Sequence, residues 1–156
     1  MSQKKQYFVF MLDEQRYGID LQAVERVIPA VELITLPEAP EMMSGLINLR
    51  GRMIPVVDIR KKFRLPPRDM GMEDRIVIFR TSTWITSIVV DKVEGVMEFV
   101  PRDLDDAAEL FPEMGQFMEG VGKSEDDSVL IYDIDSLFSR QEIHKVSSQV
   151  ENHSQP

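Results

Sequence analysis

The sequence contains no cysteine and only two histidines, which removes several kinds of chemistry from consideration. Without cysteine the chain cannot form disulfides, thiolate metal sites or a thiol nucleophile. His144 and His153 both lie in a polar C-terminal segment, where no packed scaffold is expected to hold a catalytic base or a metal ligand. We therefore expect a noncatalytic protein with no metal and no cofactor.

Long apolar runs and an excess of positive charge are also missing. No run approaches the roughly 20 apolar residues of a membrane span, and none has the flanks of a secretory signal. The sequence thus favours a soluble cytoplasmic protein without direct membrane insertion. A net charge of -9, from 18 basic and 27 acidic residues, argues against nonspecific binding to nucleic acid.

The charges are unevenly distributed along the chain. Residues 50–64 hold six basic side chains and one acidic one, whereas residues 102–127 hold nine acidic side chains and two basic ones. A charge run most often marks a solvated face. If the two runs lie on different surfaces, each can instead select a different partner.

Short apolar segments separated by turn residues predict strands. Residues 7–12 and 17–19 predict one hairpin, and residues 75–79 and 84–90 predict a second of the same form. Residues 53–59 predict a further strand.

Two local features follow the first predicted hairpin. Asp20 is expected to cap a short helix that carries Val24 and Val27 on its apolar face. Pro55, within the strand predicted over 53–59, indicates an edge or bulge position.

Several residues of the first half recur in the second half 75 positions later, and this constant offset favours an internal duplication. The related pairs are Gly45 with Gly120, Asp58 with Asp133, and Phe63 with Phe138. Because closing each sheet removes exposed edges, the repeated strands predict an all-β fold of two small β-barrels packed together with short helical segments. Within one domain, 1–156, we expect barrel halves at 6–63 and 75–139, a connector at 64–74 and a fraying polar tail at 140–156.

Residues 48–51, Asn-Leu-Arg-Gly, predict a tight turn that holds an arginine clear of the sheet. Gly51 can adopt positive φ without a Cβ penalty. Arg50 is then either a recognition element or an ordinary turn residue paired with a nearby carboxylate. At the same offset, the residue that corresponds to Arg50 is Glu125, so the arginine occurs in the first half alone.

Residues 45–63 resemble the signature of the CheW-type chemotaxis coupling proteins: a glycine, an Asn-Leu-Arg-Gly turn, a Pro-Val-Val-Asp strand and a phenylalanine. The resemblance extends over about residues 6–139. It implies two SH3-like five-stranded barrels. It also implies a noncatalytic adaptor that couples chemoreceptors, the methyl-accepting chemotaxis proteins, to the histidine kinase CheA at membrane-associated receptor arrays.

Two alternatives to this role remain open at this point. The first is the same coupling role in a chemosensory pathway with another output, such as the control of pili. The second, less favoured, is a small β-barrel hydrolase that uses the carboxylates of Glu94 and Glu98, since glycosidase-type chemistry needs only two carboxyl groups.

The resemblance also implies binding residues. Those expected to take the receptor's cytoplasmic hairpin tip are Arg50, Asn48, Leu49, Gly51, Val24, Val27 and Arg26. Those expected to face the kinase's regulatory domain are Ile76, Ile78 and Ser87. Val24 and Val27 can alternatively fill the core of the first barrel.

Two of these binding residues depart from the common family pattern. Arg26 stands where the family commonly has glutamate, and Ser87 stands where it commonly has glycine.

Overall fold

The computed structural model describes residues 3–113, 115–125 and 127–154. The strands are β1 Lys5–Leu12, β2 Gln15–Asp20, β3 Val24–Pro29, β4 Met43–Leu49, β5 Arg52–Val57, β6 Arg75–Arg80, β7 Ile85–Val90, β8 Lys92–Phe99, β9 Met118–Ser124 and β10 Asp127–Tyr132. The helices are α1 Ile59–Lys62, α2 Ala107–Leu110 and α3 Arg140–Ser154, with 3₁₀ turns at Leu21–Ala23, Pro101–Asp103 and Gly115–Phe117.

The strands form two five-stranded sheets with the same internal order. One sheet runs β8-β1-β2-β10-β9 and the other runs β3-β6-β7-β5-β4. Exchanging each strand for the one five places away in the chain converts the first order into the second. In each sheet one parallel pair, β2 with β10 or β5 with β7, joins strands that are distant in sequence. The mainly β fold with two five-stranded sheets is therefore as predicted.

The turns after β5 and β10 both begin at an aspartate whose carboxylate accepts a backbone N–H of the turn that follows. The Asp58 carboxylate accepts a hydrogen bond from the Lys61 N–H at 3.2 Å, and this caps α1. The Asp133 carboxylate accepts one from the Asp135 N–H at 3.1 Å. Together with the shared strand order, these equivalent turns support the internal duplication.

The chain forms two compact units, and their boundaries differ from the predicted halves. One unit runs up to Val24 and resumes over Asp91–Leu137, and the other covers Glu25–Val90 and continues from Phe138. The assignment of one barrel to 6–63 and the other to 75–139 is therefore corrected: each half contributes its first two strands to one sheet and its last three to the other. Repeated sequence identifies equivalent strands, but it does not say which copy each strand pairs with.

Each unit has its own buried apolar core. In the unit that contains β3–β7, the core residues Ile47, Ile54, Val56, Ile76 and Ile78 project from β4, β5 and β6. In the other unit, Tyr7 and Val9 of β1 pack with Val129 and Ile131 of β10. Alternate residues of a strand lie on the same face of the sheet, which explains why the core residues within one strand are two positions apart.

The segment after β2 is mainly a strand rather than the predicted short helix. Asp20 does act as a cap, accepting the Gln22 N–H at 2.9 Å, but the turn that it caps ends at Ala23. Residues Val24–Pro29 then form β3 at the edge of their sheet. Two valines and an isoleucine in six residues favour the extended backbone, because β-branched side chains lose χ1 freedom in a helix.

Pro55 lies in an interior strand, so the predicted edge position is wrong. Strand β5 pairs with β4 on one side and with β7 on the other. The parallel ladder with β7 is recorded from Val56, one residue after the proline, which lacks a backbone N–H to contribute. The Pro55 carbonyl oxygen accepts hydrogen bonds from the hydroxyls of Ser87 at 2.8 Å and Thr86 at 3.3 Å.

The predicted tail at 140–156 is also corrected, because residues Arg140–Ser154 form α3. Ser139 and Glu142 form a reciprocal capping box: the Glu142 N–H donates to the Ser139 hydroxyl at 3.1 Å, and the Ser139 N–H donates to the Glu142 carboxylate at 2.8 Å. Val146 is 1% exposed and attaches the helix to its unit. The Ser-x-x-Glu spacing was the sequence signal for this helix.

The start of α3 is expected to weaken in acid. Burial alone would raise the pKa of Glu142, but the Ser139 N–H and the Lys62 ammonium, 3.0 Å away, outweigh burial and lower it. A carboxyl group whose pKa is lower in the folded state stabilises that state above its unfolded pKa, and this stabilisation disappears as pH falls through the folded pKa. The protection factors of the amides at the start of α3, which are corrected for the intrinsic pH dependence of hydrogen exchange, should therefore decrease below pH 4.5, the ordinary pKa of the Glu142 carboxyl.

The control for this prediction is an acid further along the same helix. Glu142→Gln should remove most of the pH dependence, whereas Glu151→Gln, on an exposed position, should leave it unchanged. Equal behaviour of the two variants would contradict the assigned role of Glu142.

Candidate functional site

The arginine turn is a two-residue hairpin loop between β4 and β5. Leu49 pairs with Arg52, and the two residues between them both have positive φ, 54° at Arg50 and 87° at Gly51. This is the conformation of the type I′ turn, which matches the twist of the flanking strands. The Asn48 carboxamide oxygen accepts the Gly51 N–H at 2.7 Å. The predicted turn is therefore present, with Arg50 exposed at its tip.

Beside this turn lies a surface cavity of about 300 Å³, which we call the arginine pocket. It is lined by Glu25, Arg26, Leu49, Arg50 and Arg52, all within one compact unit. Arg52 donates to the Glu25 carboxylate at 3.1 Å. Within the part of the chain that the structure describes, no hydrogen bond or ion pair joins the guanidinium group of Arg26 or of Arg50 to another residue. The carboxylate-paired arginine of this turn is thus Arg52 rather than Arg50.

The structure brings together three of the predicted receptor-binding residues, Arg26, Leu49 and Arg50. Asn48 and Gly51 shape the turn without lining the pocket.

The two valines of β3 occupy different environments. Val27 is 37% exposed on β3, which argues against the alternative that it fills the core. Val24 is half-buried at the start of the same strand.

Sequence reasoning missed Glu25 and Arg52. The sequence gives only a weak indication that they belong to the site, because they are simply the chain neighbours of Arg26 and Gly51. Only the fold shows that their side chains meet.

Comparison with known proteins identifies the family. The CheW-like domain model matches residues 6–142 of the chain. This chain belongs to the CheW-like domain family. It is 26% identical to the chemotaxis protein CheW of Treponema pallidum, over 92% of this chain and 87% of that protein. It is 30% identical to the chemotaxis protein CheW of Thermotoga maritima, over 83% and 84% of the two chains.

A solved structure supports the same fold. The crystal structure of the scaffolding protein TtCheW from Thermoanaerobacter tengcongensis superposes with a TM-score of 0.77 and 31% sequence identity, covering 89% of this chain and 90% of that one. This chain is also similar to Protein FrzA of Myxococcus xanthus, with 25% identity over 65% of this chain and 63% of that protein.

The residues predicted to face a kinase are interior in this CheW-like chain. Ile76, Ile78 and Ser87 are all 0% exposed. The two isoleucines belong to the core, and the Ser87 hydroxyl is bonded to the Pro55 carbonyl oxygen. Such side chains cannot contact a partner, so this assignment is corrected. The signal was the unbroken apolar run at 76–79, which is typical of a strand buried on both faces.

The residue that corresponds to Arg50 in the second half carries the opposite charge. Glu125, which follows β9, also has positive φ, at 50°, and is exposed. At this position the positive φ is thus shared by the two halves, while the charge of the side chain differs. The hairpin geometry alone therefore does not require arginine at position 50.

Much of the acidic run at 102–127 has local structural roles. Asp106 caps α2 by accepting the Ala108 N–H at 2.9 Å, and Asp105 forms an ion pair with Lys123 at 3.0 Å. Glu119 accepts a hydrogen bond from the Tyr7 hydroxyl at 3.1 Å, and burial together with this carboxylate raises the pKa of Tyr7. These contacts agree with the commoner meaning of a charge run.

The carboxylates behind the hydrolase alternative are on the solvent side of β8. Glu94 lies 3.6 Å from the Lys92 ammonium and 3.9 Å from the Arg16 guanidinium, while Glu98 is exposed. No group of three or more potential metal-ligating side chains occurs in the described ranges. The helices described for this chain include none long and apolar enough to cross a membrane.

Proposed function

We propose that this chain is a noncatalytic adaptor that couples chemoreceptors to the histidine kinase CheA in bacterial chemotaxis. The family assignment and the chemotaxis and scaffolding names of its relatives support this role. In this proposal the protein acts in the cytoplasm and is recruited to membrane-associated receptor arrays, through contacts with the receptor hairpin tip and the regulatory domain of the kinase.

The observation that carries the proposal is the exposed Arg50 on its rigid turn. The Asn48 hydrogen bond and the β4–β5 pairing hold the turn, so a partner that binds Arg50 does not have to order the backbone first. The guanidinium can donate two parallel hydrogen bonds to a carboxylate or bond backbone carbonyls. Arg26 and Leu49 line the same pocket and add one further charge and apolar surface. Asn48 and Gly51 shape the turn, and Val27, in the same strand as Arg26, extends the proposed contact.

Reversing the charge at the turn is expected to weaken receptor binding. Arg50→Glu should reduce affinity for a receptor cytoplasmic fragment at least about tenfold, because a guanidinium contact becomes a repulsion. The melting midpoint should stay within about 2 °C of wild type, since Arg50 is exposed and has no partner to lose among the described residues. The measurements are titration calorimetry and thermal unfolding of the same preparation.

A matched control is available in the same unit. Arg140 is exposed at the start of α3 and does not line the arginine pocket. The ion pair between Lys62 and Glu142 places this end of α3 beside α1, at the opposite end of β5 from the turn. Arg140→Glu imposes the same change in net charge and should bind like wild type. An Arg50→Glu variant that melts far earlier would make Arg50 a structural residue and remove it from the site.

The adaptor role itself is tested by assembly of three proteins. A pull-down should recover a ternary complex of this chain, a CheA-type kinase and a receptor cytoplasmic fragment, and Arg50→Glu should lose the receptor first. Recovery of neither partner by the wild-type chain would reject the proposed function.

A second candidate is the same adaptor role in a chemosensory pathway with another output, such as the control of pili. The similarity to Protein FrzA, a relative whose name is not that of a chemotaxis protein, is the observation behind it. Identification of the receptors and kinases that co-purify from the native host distinguishes the two pathways.

A further inference from the structure

The arginine pocket carries two positive charges that the described residues do not neutralise. Three guanidinium groups and one carboxylate line it, and Glu25 is committed to Arg52 at 3.1 Å. The guanidinium groups of Arg26 and Arg50 then remain without an ion pair or hydrogen bond in the described part of the chain. Leu49, half-buried, adds an apolar lining to the pocket.

The turn gives no structural reason for arginine at position 50. A type I′ turn prefers asparagine, aspartate or glycine at its first central position, because a larger side chain at positive φ is less favourable. Arg50 nevertheless adopts a φ of 54°, and Glu125 in the other unit adopts one of 50°, so the backbone does not select arginine. Two neighbouring arginines whose guanidinium groups have no partner among the described residues are better explained by a ligand than by folding.

We propose, on the basis of the function proposed above, that the arginine pocket selects a receptor hairpin tip that carries acidic residues, and that Arg26 determines this specificity. Carboxylates of the tip bind the guanidinium groups of Arg26 and Arg50, each of which can donate two parallel hydrogen bonds. An apolar side chain of the same segment covers Leu49. A cavity of about 300 Å³ has room for a few side chains, not for a domain.

Charge complementarity is the reason for this choice of partner. Excess positive charge disfavours a basic segment, and a purely apolar segment would bury the guanidinium groups without partners, which is costly. With glutamate at position 26, the net charge of the pocket would be two units lower than it is with arginine. Arg26 therefore shifts the preference of this chain towards a more acidic tip.

The test is a double-mutant cycle between the pocket and the tip. The probe is a receptor cytoplasmic hairpin fragment that co-purifies with this chain from the native host, together with a version whose tip Glu and Asp residues are changed to Gln and Asn. Arg26→Glu should weaken binding to the acidic fragment at least about tenfold. It should weaken binding to the amide fragment much less, so that the two changes are not additive.

Two further measurements complete the design. Arg140→Glu, the matched control, should bind both fragments like wild type. Raising the salt from about 0.1 M to about 1 M should weaken the wild-type complex with the acidic fragment more than the complex with the amide fragment, because salt screens exposed charges.

The outcomes separate this inference from the adaptor role. If Arg50→Glu weakens binding but Arg26→Glu does not, the adaptor role stands and the acidic specificity is rejected. If Arg26→Glu weakens both fragments equally, the contact does not involve tip carboxylates and the inference is again rejected. If no native receptor fragment binds the wild-type chain, the proposed function is rejected, and the inference with it.

Discussion

Replacing Ile78 by alanine is expected to lower the free energy of unfolding by about 2–5 kcal/mol. Ile78 is 0% exposed and packs with Ile47, Ile54, Val56 and Ile76 in the core of its unit. The substitution removes buried apolar surface and leaves a cavity that a sheet-bound core fills only in part. Denaturant titration followed by intrinsic fluorescence measures the loss.

This experiment also decides between two roles for Ile78. A kinase-contact residue would lose kinase binding at nearly wild-type stability, whereas a core residue loses stability first. Val31→Ala is the control in the same unit, because Val31 is 43% exposed, and it should change stability by no more than about 0.5 kcal/mol. Wild-type stability of Ile78→Ala would overturn the structural assignment.

The second large effect is expected at Gly45, the first residue of the family signature. Gly45→Ala should destabilise the chain by about 1–3 kcal/mol, because the new methyl group has no space. Its Cβ would lie 2.7 Å from the Ile34 carbonyl oxygen and 3.1 Å from the Leu33 Cβ. Moving that segment away would strain the two reciprocal hydrogen bonds between Ile34 and Leu46, both 2.8 Å long.

The control for Gly45 is a glycine with room for a methyl group. At Gly71 the nearest atoms to an added Cβ are the Asp74 carboxylate oxygens at 3.9 Å, which is ordinary contact. Gly71→Ala should therefore stay within about 0.5 kcal/mol of wild type. Equal melting midpoints for the two alanine variants would mean that the 33–34 segment yields freely, contrary to its paired geometry.

The candidate site was predicted in part. The Asn-Leu-Arg-Gly sequence identifies the turn, because Gly51 at positive φ and the Asn48 side chain act within four residues. The role of Arg52 and Glu25 could not be predicted, since their ion pair joins β5 to β3, strands that are not neighbours in their sheet. Whether an arginine is neutralised depends on such distant contacts.

The burial of the β6 side chains likewise depends on contacts between segments that are distant in the chain. The apolar run at 76–79 predicts a strand, but the run alone does not say whether that strand is exposed to a binding partner or lies inside the sheet. Pairing with β3 and β7 makes β6 an inner strand and buries Ile76 and Ile78 completely. In contrast, α3 was predictable from the Ser139 and Glu142 spacing, since a capping box is a contact between residues three apart.

By itself, the sequence determined the mainly β fold, the repeated strand order, the arginine turn and the CheW-like family, all of which depend on short-range patterns or on a contiguous signature. Only the tertiary structure decided that each half divides its strands between two sheets and that Ile78 is a core residue. It also decided that Glu25 forms an ion pair with Arg52, while no described residue forms one with Arg26 or Arg50. These outcomes depend on pairings between residues far apart in the chain, and local pattern does not specify which distant segment will supply the partner.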